Sequence, residues 1–139
     1  MGLTYADIEL INSGDIEMAR RHIIGQEEIK SMRVSMLVDS GAYNLCINEN
    51  IQVQLQLPFI EKRVAELANG SRESYDLVGP VVVKFKNRQT VCNALVLHGD
   101  NESLLGAIPM EDMDVLIHPL RQELIVNPEH PYMAQMKLK

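Results

Sequence analysis

Met32-Arg33-Val34-Ser35-Met36-Leu37-Val38-Asp39-Ser40-Gly41-Ala42 is the stretch that decides how this chain is read. Met32, Val34, Met36 and Val38 recur at every second position, the period of a strand with one face buried. The strand runs without a break into an acid. A carboxylate at the end of an apolar strand loses hydration, and it persists there only where hydrogen bonds or a chemical task hold it. Ser40 adds a hydroxyl that can both donate and accept. Gly41 lets the main chain turn tightly beside the carboxylate. All three residues also make ordinary turns, so the triplet alone leaves a plain post-strand turn open.

Upstream, residues 3–11 read as a strand closed by the turn formers Asn12-Ser13-Gly14-Asp15. Residues 16–24 fit a second strand or a helical turn, and residues 26–30 a short helical turn. Downstream, residues 43–47 are extended, and Asn48 with Glu49 starts a helix through Leu55 that Pro58 stops. Residues 59–67 and 72–78 flank Ala68-Asn69-Gly70-Ser71, where Asn-Gly favours a two-residue type I′ hairpin turn. Residues 81–86 and 89–97 form a second hairpin about Asn87-Arg88. A loop, His98-Gly99-Asp100-Asn101, leads to Leu104-Leu105-Gly106. A short helix follows from Ile108-Pro109, with Glu111 and Asp112 near its N-terminus. Residues 115–117 and 123–126 are the last strands, and residues 127–139 form an irregular tail. The expected fold is mainly β with one or two short helices, a small closed or nearly closed β structure.

The 139 residues suit one domain, and 46% apolar with 23% charged residues is an ordinary globular mix. With no Trp and two Phe, aliphatic residues and Met must fill the core. A net charge of -6 and no basic run longer than Arg20-Arg21 argue against a nucleic-acid partner. The opening residues contain Asp7 and Glu9 and no apolar signal segment, and no apolar run approaches the ~20 residues of a membrane span. A cytoplasmic protein with no membrane partner is expected. Cys46 and Cys92 form no CxxC pair and read as small buried hydrophobes. His22, His98, His118 and His130 show neither metal-ligand spacing nor an acidic partner. Glu111, Asp112 and Asp114 read as helix-terminus and surface acids. No metal and no cofactor are expected.

Taken in order, Leu37-Val38-Asp39-Ser40-Gly41-Ala42, the Asn69-Gly70 hairpin and Leu104-Leu105-Gly106 resemble the retropepsins. These are the single-domain retroviral-type aspartic proteases and their cellular and bacterial relatives. The resemblance implies an acid-protease barrel over residues 31–126 and an N-terminal strand-and-turn extension over residues 1–30 packed on it. Ser40 in place of the commoner Thr, and the long N-terminal segment, depart from the retroviral pattern.

By that resemblance Asp39 is the catalytic carboxylate, and Ser40 hydrogen-bonds beneath the paired acids. Gly41 places its backbone near substrate, and Ala42 leaves out the hydroxyl common at this place in pepsin-like enzymes. Asn69, Gly70 and Ser71 are the flap tip that closes over substrate. Leu104, Leu105 and Gly106 are scaffold beneath the site. The chemistry needs two carboxylates sharing a proton, and the chain has one Asp-Ser-Gly, so a homodimer is expected. The expected activity is hydrolysis of an extended peptide whose apolar side chains fill the subsites. The rival reading is a non-catalytic dimeric peptide-binding module that keeps the fold.

Overall fold

A computed structural model describes residues 2–138. The protein is mainly β. Its order is β1 (Tyr5–Asn12), α1 (Ser13–Arg20), a 3-10 turn (Gln26–Glu28), β2 (Ser31–Val38), β3 (Leu45–Asn48), α2 (Glu49–Leu55), β4 (Phe59–Glu66), β5 (Arg72–Phe85), β6 (Arg88–Leu97), β7 (Leu104–Leu105), α3 (Ala107–Met113), β8 (Val115–His118) and β9 (Glu123–Val126).

Six strands close a hydrogen-bonded circuit, β1-β2-β7-β3-β6-β5 and back to β1. The apolar alternation of β2 drives one side of it. Ile8 and Leu10 of β1 lie opposite Val34 and Met32, and Ile8, Leu10 and Met36 are fully buried. β1 also pairs antiparallel with β5, Leu10 against Val83 and Asn12 against Val81, which closes the circuit. The core is aliphatic, as the composition requires: Leu45, Ile47, Val81, Val83, Ala94 and Leu105 fill it. Residues 5–12 are therefore a member of the ring and no appendage to a domain beginning at residue 31. Outside the circuit, among the described residues, β4 pairs with β5 alone, and β8 and β9 pair only with each other.

Three helices form, where one or two were expected. The additional one is α1. Asn12, Ser13, Gly14 and Asp15 do not make a turn between strands: the Asn12 side chain accepts the Asp15 N–H at 3.1 Å and caps the helix. Asn12 is buried, and its amide donates to the Leu55 carbonyl at 2.9 Å, tying α1 to α2. In α3, Glu111 and Asp112 lie in the second half of the helix, not its first turn. β5 continues through Gly79-Pro80, where the sequence implies a break. A shift in register between Val78 and Val81 takes the proline out of the ladder.

The turns differ too. Leu67 N–H donates to the Ser71 carbonyl at 2.7 Å and Gly70 N–H to the Leu67 carbonyl at 2.9 Å, so the first hairpin closes over a longer loop than a two-residue type I′ turn. In it Gly70, and not Asn69, has positive φ. The second hairpin turns at Lys86-Asn87, because Phe85 pairs with Arg88, and Arg88 is buried. Among the described residues, no helix is long and apolar enough to cross a membrane.

Candidate active site

Asp39 stands at the end of β2, where the two-residue β7 is threaded between β2 and β3. β7 runs parallel to β2, Leu37 against Leu104 and Val38 against Leu105, and antiparallel to β3 through Cys46. The Asp39 N–H donates to the Leu105 carbonyl at 3.0 Å, and Val38 N–H to the Thr4 carbonyl at 2.8 Å. Leu105 is fully buried beneath the acid. Leu104-Leu105 thus anchors the backbone on which Asp39 sits.

The loop after the acid is held from the same side. Ala42 N–H donates to the Asp39 carbonyl at 3.1 Å, Ala107 N–H to the Ala42 carbonyl at 2.7 Å, and Ile108 N–H to the Tyr43 carbonyl at 3.0 Å. Gly106 makes this approach possible. A Cβ there would lie 2.4 Å from the Asn44 carbonyl oxygen and 2.8 Å from that of Ala42. The first turn of α3 and residues 42–44 are consequently in backbone contact.

The side chains face the other way. Asp39 is half-buried, while Ser40, Gly41, Tyr43 and Asn44 are exposed. One carboxylate oxygen, Oδ1, accepts the Gly41 N–H at 2.9 Å. Among the described residues, the Ser40 hydroxyl has no hydrogen-bond partner within the chain. Two hollows flank Ser40. One, of about 390 Å3, is bordered by Leu3, Val38, Asp39, Ser40, Ile117 and Gln122. The other, of about 320 Å3, is mostly apolar, with Ser40, Met110, Val115, Leu116 and Ile117. The β8–β9 hairpin therefore borders the acid, a placement that sequence did not reveal, since its strands are short and follow the motif by about 75 residues.

Cys46 pairs with Leu104, next to the strand that carries Asp39. Burial, with Asp39 adding its charge, pushes the thiol up to about 11. It is a packed thiol and a poor nucleophile at neutral pH. Asn69, Gly70 and Ser71 are exposed at the tip of the β4–β5 hairpin. There Asn69 Oδ1 accepts from the Ser71 N–H at 2.9 Å and the Ser71 hydroxyl at 2.6 Å. β4 is exposed almost throughout and is paired to the ring along β5.

Two groups were misjudged from sequence. Asp114 is a hub: it accepts from Asn127 Nδ2 at 3.0 Å and the Gln135 N–H at 3.1 Å, and its Oδ2 lies 2.7 Å from His130 Nδ1. Burial acts to raise the Asp114 pKa, and these hydrogen bonds outweigh it, holding the carboxyl below its ordinary value. His130 thus has an acidic partner. The buried Arg88 donates to the His130 carbonyl, so the strandless tail is strapped to the body. No protein-family model matches the chain, and no curated protein matches it.

Proposed function

We propose that the protein is an aspartic endopeptidase of the retropepsin type, active as a homodimer with one Asp39 from each protomer. The observation that carries this reading is the placement of Asp39. Its backbone is pinned from below by Leu105, while its carboxylate and the Ser40 hydroxyl face outward. The closed six-strand circuit is what a retropepsin barrel would need around such an acid.

The chemistry follows from two carboxylates at close quarters. Like charges so near cannot both ionise, so the pair holds one proton. The ionised acid takes a proton from water, which attacks the scissile carbonyl. The protonated acid donates to the carbonyl oxygen, giving a neutral gem-diol. Return of a proton to the amide nitrogen then releases amine and acid. The fixed Gly41 amide holds one oxygen of each carboxylate in place. The β4–β5 hairpin closes over an extended peptide, pairs with its backbone and excludes water.

The dimer would form on the face that carries Ser40. Among the described residues, the hydroxyl there has no hydrogen-bond partner, and β8 and β9 each have one edge without a strand beside it. A second copy on this face would bring the two acids together and cover the apolar hollow lined by Met110, Leu116 and Ile117. The test compares the wild-type chain with Asp39→Asn on a broad peptide library, each across a dilution series. The reading expects wild-type cleavage whose specific activity falls on dilution. It expects at least a thousandfold loss in the variant (roughly the scale for removing a triad member), with the melting temperature within about 2 °C. Cleavage by the variant within tenfold of wild type would refute the catalytic assignment. An active monomer in sedimentation would refute the shared dyad.

A further inference from the structure

The hairpin that would cover the substrate has two unlike faces. Cross-strand partners share a face, and the register pairs Glu61 with Leu77, Arg63 with Tyr75 and Ala65 with Glu73. Tyr75 and Leu77 are buried, so this face turns toward the body. The Tyr75 ring stacks on His98, with centroids 5.0 Å apart. The register carries this face across the sheet, Leu77 beside Leu95, Leu95 beside Cys46, Cys46 beside Leu104 and Leu104 beside Leu37, two residues before Asp39, so the face lies on the side of the ring that holds the acid. The opposite face carries Lys62 with Asp76 at 2.7 Å and Arg72 with Glu66 at 3.9 Å, exposed ion pairs on the solvent side.

The charges on the inward face do not balance. Arg63 is committed to Glu61, Nε to Oε2 at 2.5 Å. Glu73 takes the Tyr75 hydroxyl at 2.8 Å, and among the described residues no lysine, arginine or histidine pairs with it. Directly across from it stands Ala65, whose methyl leaves room above the carboxylate. The tyrosine hydroxyl fixes one oxygen of Glu73, and the residue is otherwise exposed on this face.

We infer that Glu73, held by Tyr75 opposite the small Ala65, makes the site select a substrate with a lysine or arginine side chain beneath the flap. This rests on the protease reading above and revises the expectation of wholly apolar subsites. A cationic side chain would place its stem along Ala65 and Tyr75 and its charge against the free oxygen. The chain's net charge of -6 favours approach of cationic peptides over acidic ones.

The test uses the full-length chain and peptides identical except at one position, bearing lysine, its uncharged isostere norleucine, or glutamate. For the wild type, kcat/KM should favour lysine over norleucine by about tenfold, the scale of one charge-assisted hydrogen bond in a half-covered site. Glu73→Gln should bring that ratio to near unity, and Glu73→Lys should turn the preference to glutamate. A lysine preference that survives Glu73→Gln, or none in the wild type at any position scanned, overturns the inference and leaves the hydrolase standing. A wild-type chain that cleaves no peptide overturns the hydrolase and this inference together.

Discussion

Replacing Gly106 with alanine tests how the acid is supported. The backbone angles there, φ -89° and ψ -177°, suit any residue, so the cost is one of contact alone. The new methyl would meet the Asn44 carbonyl oxygen at 2.4 Å, the Tyr43 carbonyl carbon at 2.7 Å and the Ala42 carbonyl oxygen at 2.8 Å, all backbone atoms. Ordinary van der Waals contact begins at 3.4 Å, so residues 42–44 must retreat from α3 by about 1 Å. Overpacking of this kind costs about 1–3 kcal/mol. The retreat also stretches the bonds from Ala107 N–H to Ala42 and from Ile108 N–H to Tyr43, each worth about 0.5–1.5 kcal/mol net. The sum, about 2–6 kcal/mol, corresponds to a fall of about 6–24 °C in melting temperature for a domain of this size. Thermal unfolding followed by circular dichroism reads it directly. Gly41→Ala is the contrast. Its methyl would meet only the Asp39 side chain, Oδ1 at 3.2 Å, so stability should change by less than about 1 kcal/mol, while turnover falls because the carboxylate must turn. If Gly106→Ala melts within 2 °C of the wild type, the backbone clamp between α3 and residues 42–44 is not what holds the acid loop.

Asn12→Ala should cost about 2–4 kcal/mol in urea denaturation, since it removes the cap of α1 and leaves the buried Leu55 carbonyl unpaired; Asn12→Ser keeps a neutral cap acceptor and should cost less, and equal losses would refute the double role. The hydrogen-bonded Asp114 is depressed below its ordinary 3.8, so its contribution is in full force above that pH and is lost as pH falls through the still lower folded value. Protease cleavage within residues 127–138 should therefore rise in that acid window; Asp114→Asn should loosen the strap already at neutral pH and flatten the dependence, and unchanged protection in the variant would refute the strap.

What sequence disclosed was local, and what it hid was either ambiguous chemistry or distant pairing. Met32, Val34, Met36 and Val38 announced β2, and the strand covers Ser31–Val38. Asn48 announced α2, and its Oδ1 accepts the Ile51 N–H at 2.9 Å. By contrast, Asn12-Ser13-Gly14-Asp15 serves a turn and a helix start equally well. The short α1 buries only Asp15 and Ala19, too little for a periodic signal. Residues 72–78 and 81–86 read as separate strands, yet a bulge carries β5 through Gly79-Pro80. The Asp39-Ser40-Gly41 site was legible as a motif, but the Leu105 carbonyl under it and β8 beside it come from far along the chain. No local pattern encodes the Arg88–Asp114–His130 strap either, because its parts meet only once β6, α3 and the tail have packed.

The directions of the hydrogen bonds around residues 39–43 explain why such a site would belong to two chains. Asp39 N–H goes to Leu105, the Asp39 carbonyl to Ala42 N–H, the Ala42 carbonyl to Ala107 and the Tyr43 carbonyl to Ile108. These bonds tie the loop to its own protomer at several points before any partner arrives. Among the groups left unspent are the Ser40 hydroxyl and one carboxylate oxygen. A rigid loop with its side-chain donors and acceptors turned outward presents little ordering cost to a second copy of itself. On the proposed reading, the same contacts that dimerise the chain complete the dyad, so neither a stable inactive dimer nor an active monomer should accumulate at equilibrium. The outer part of the β4–β5 hairpin is built on the opposite principle: β5 joins β6 only from Asp76 onward, and beyond that point residues 72–74 and nearly all of β4 are exposed. Such a segment opens at little cost, as the covering element of a cleft must.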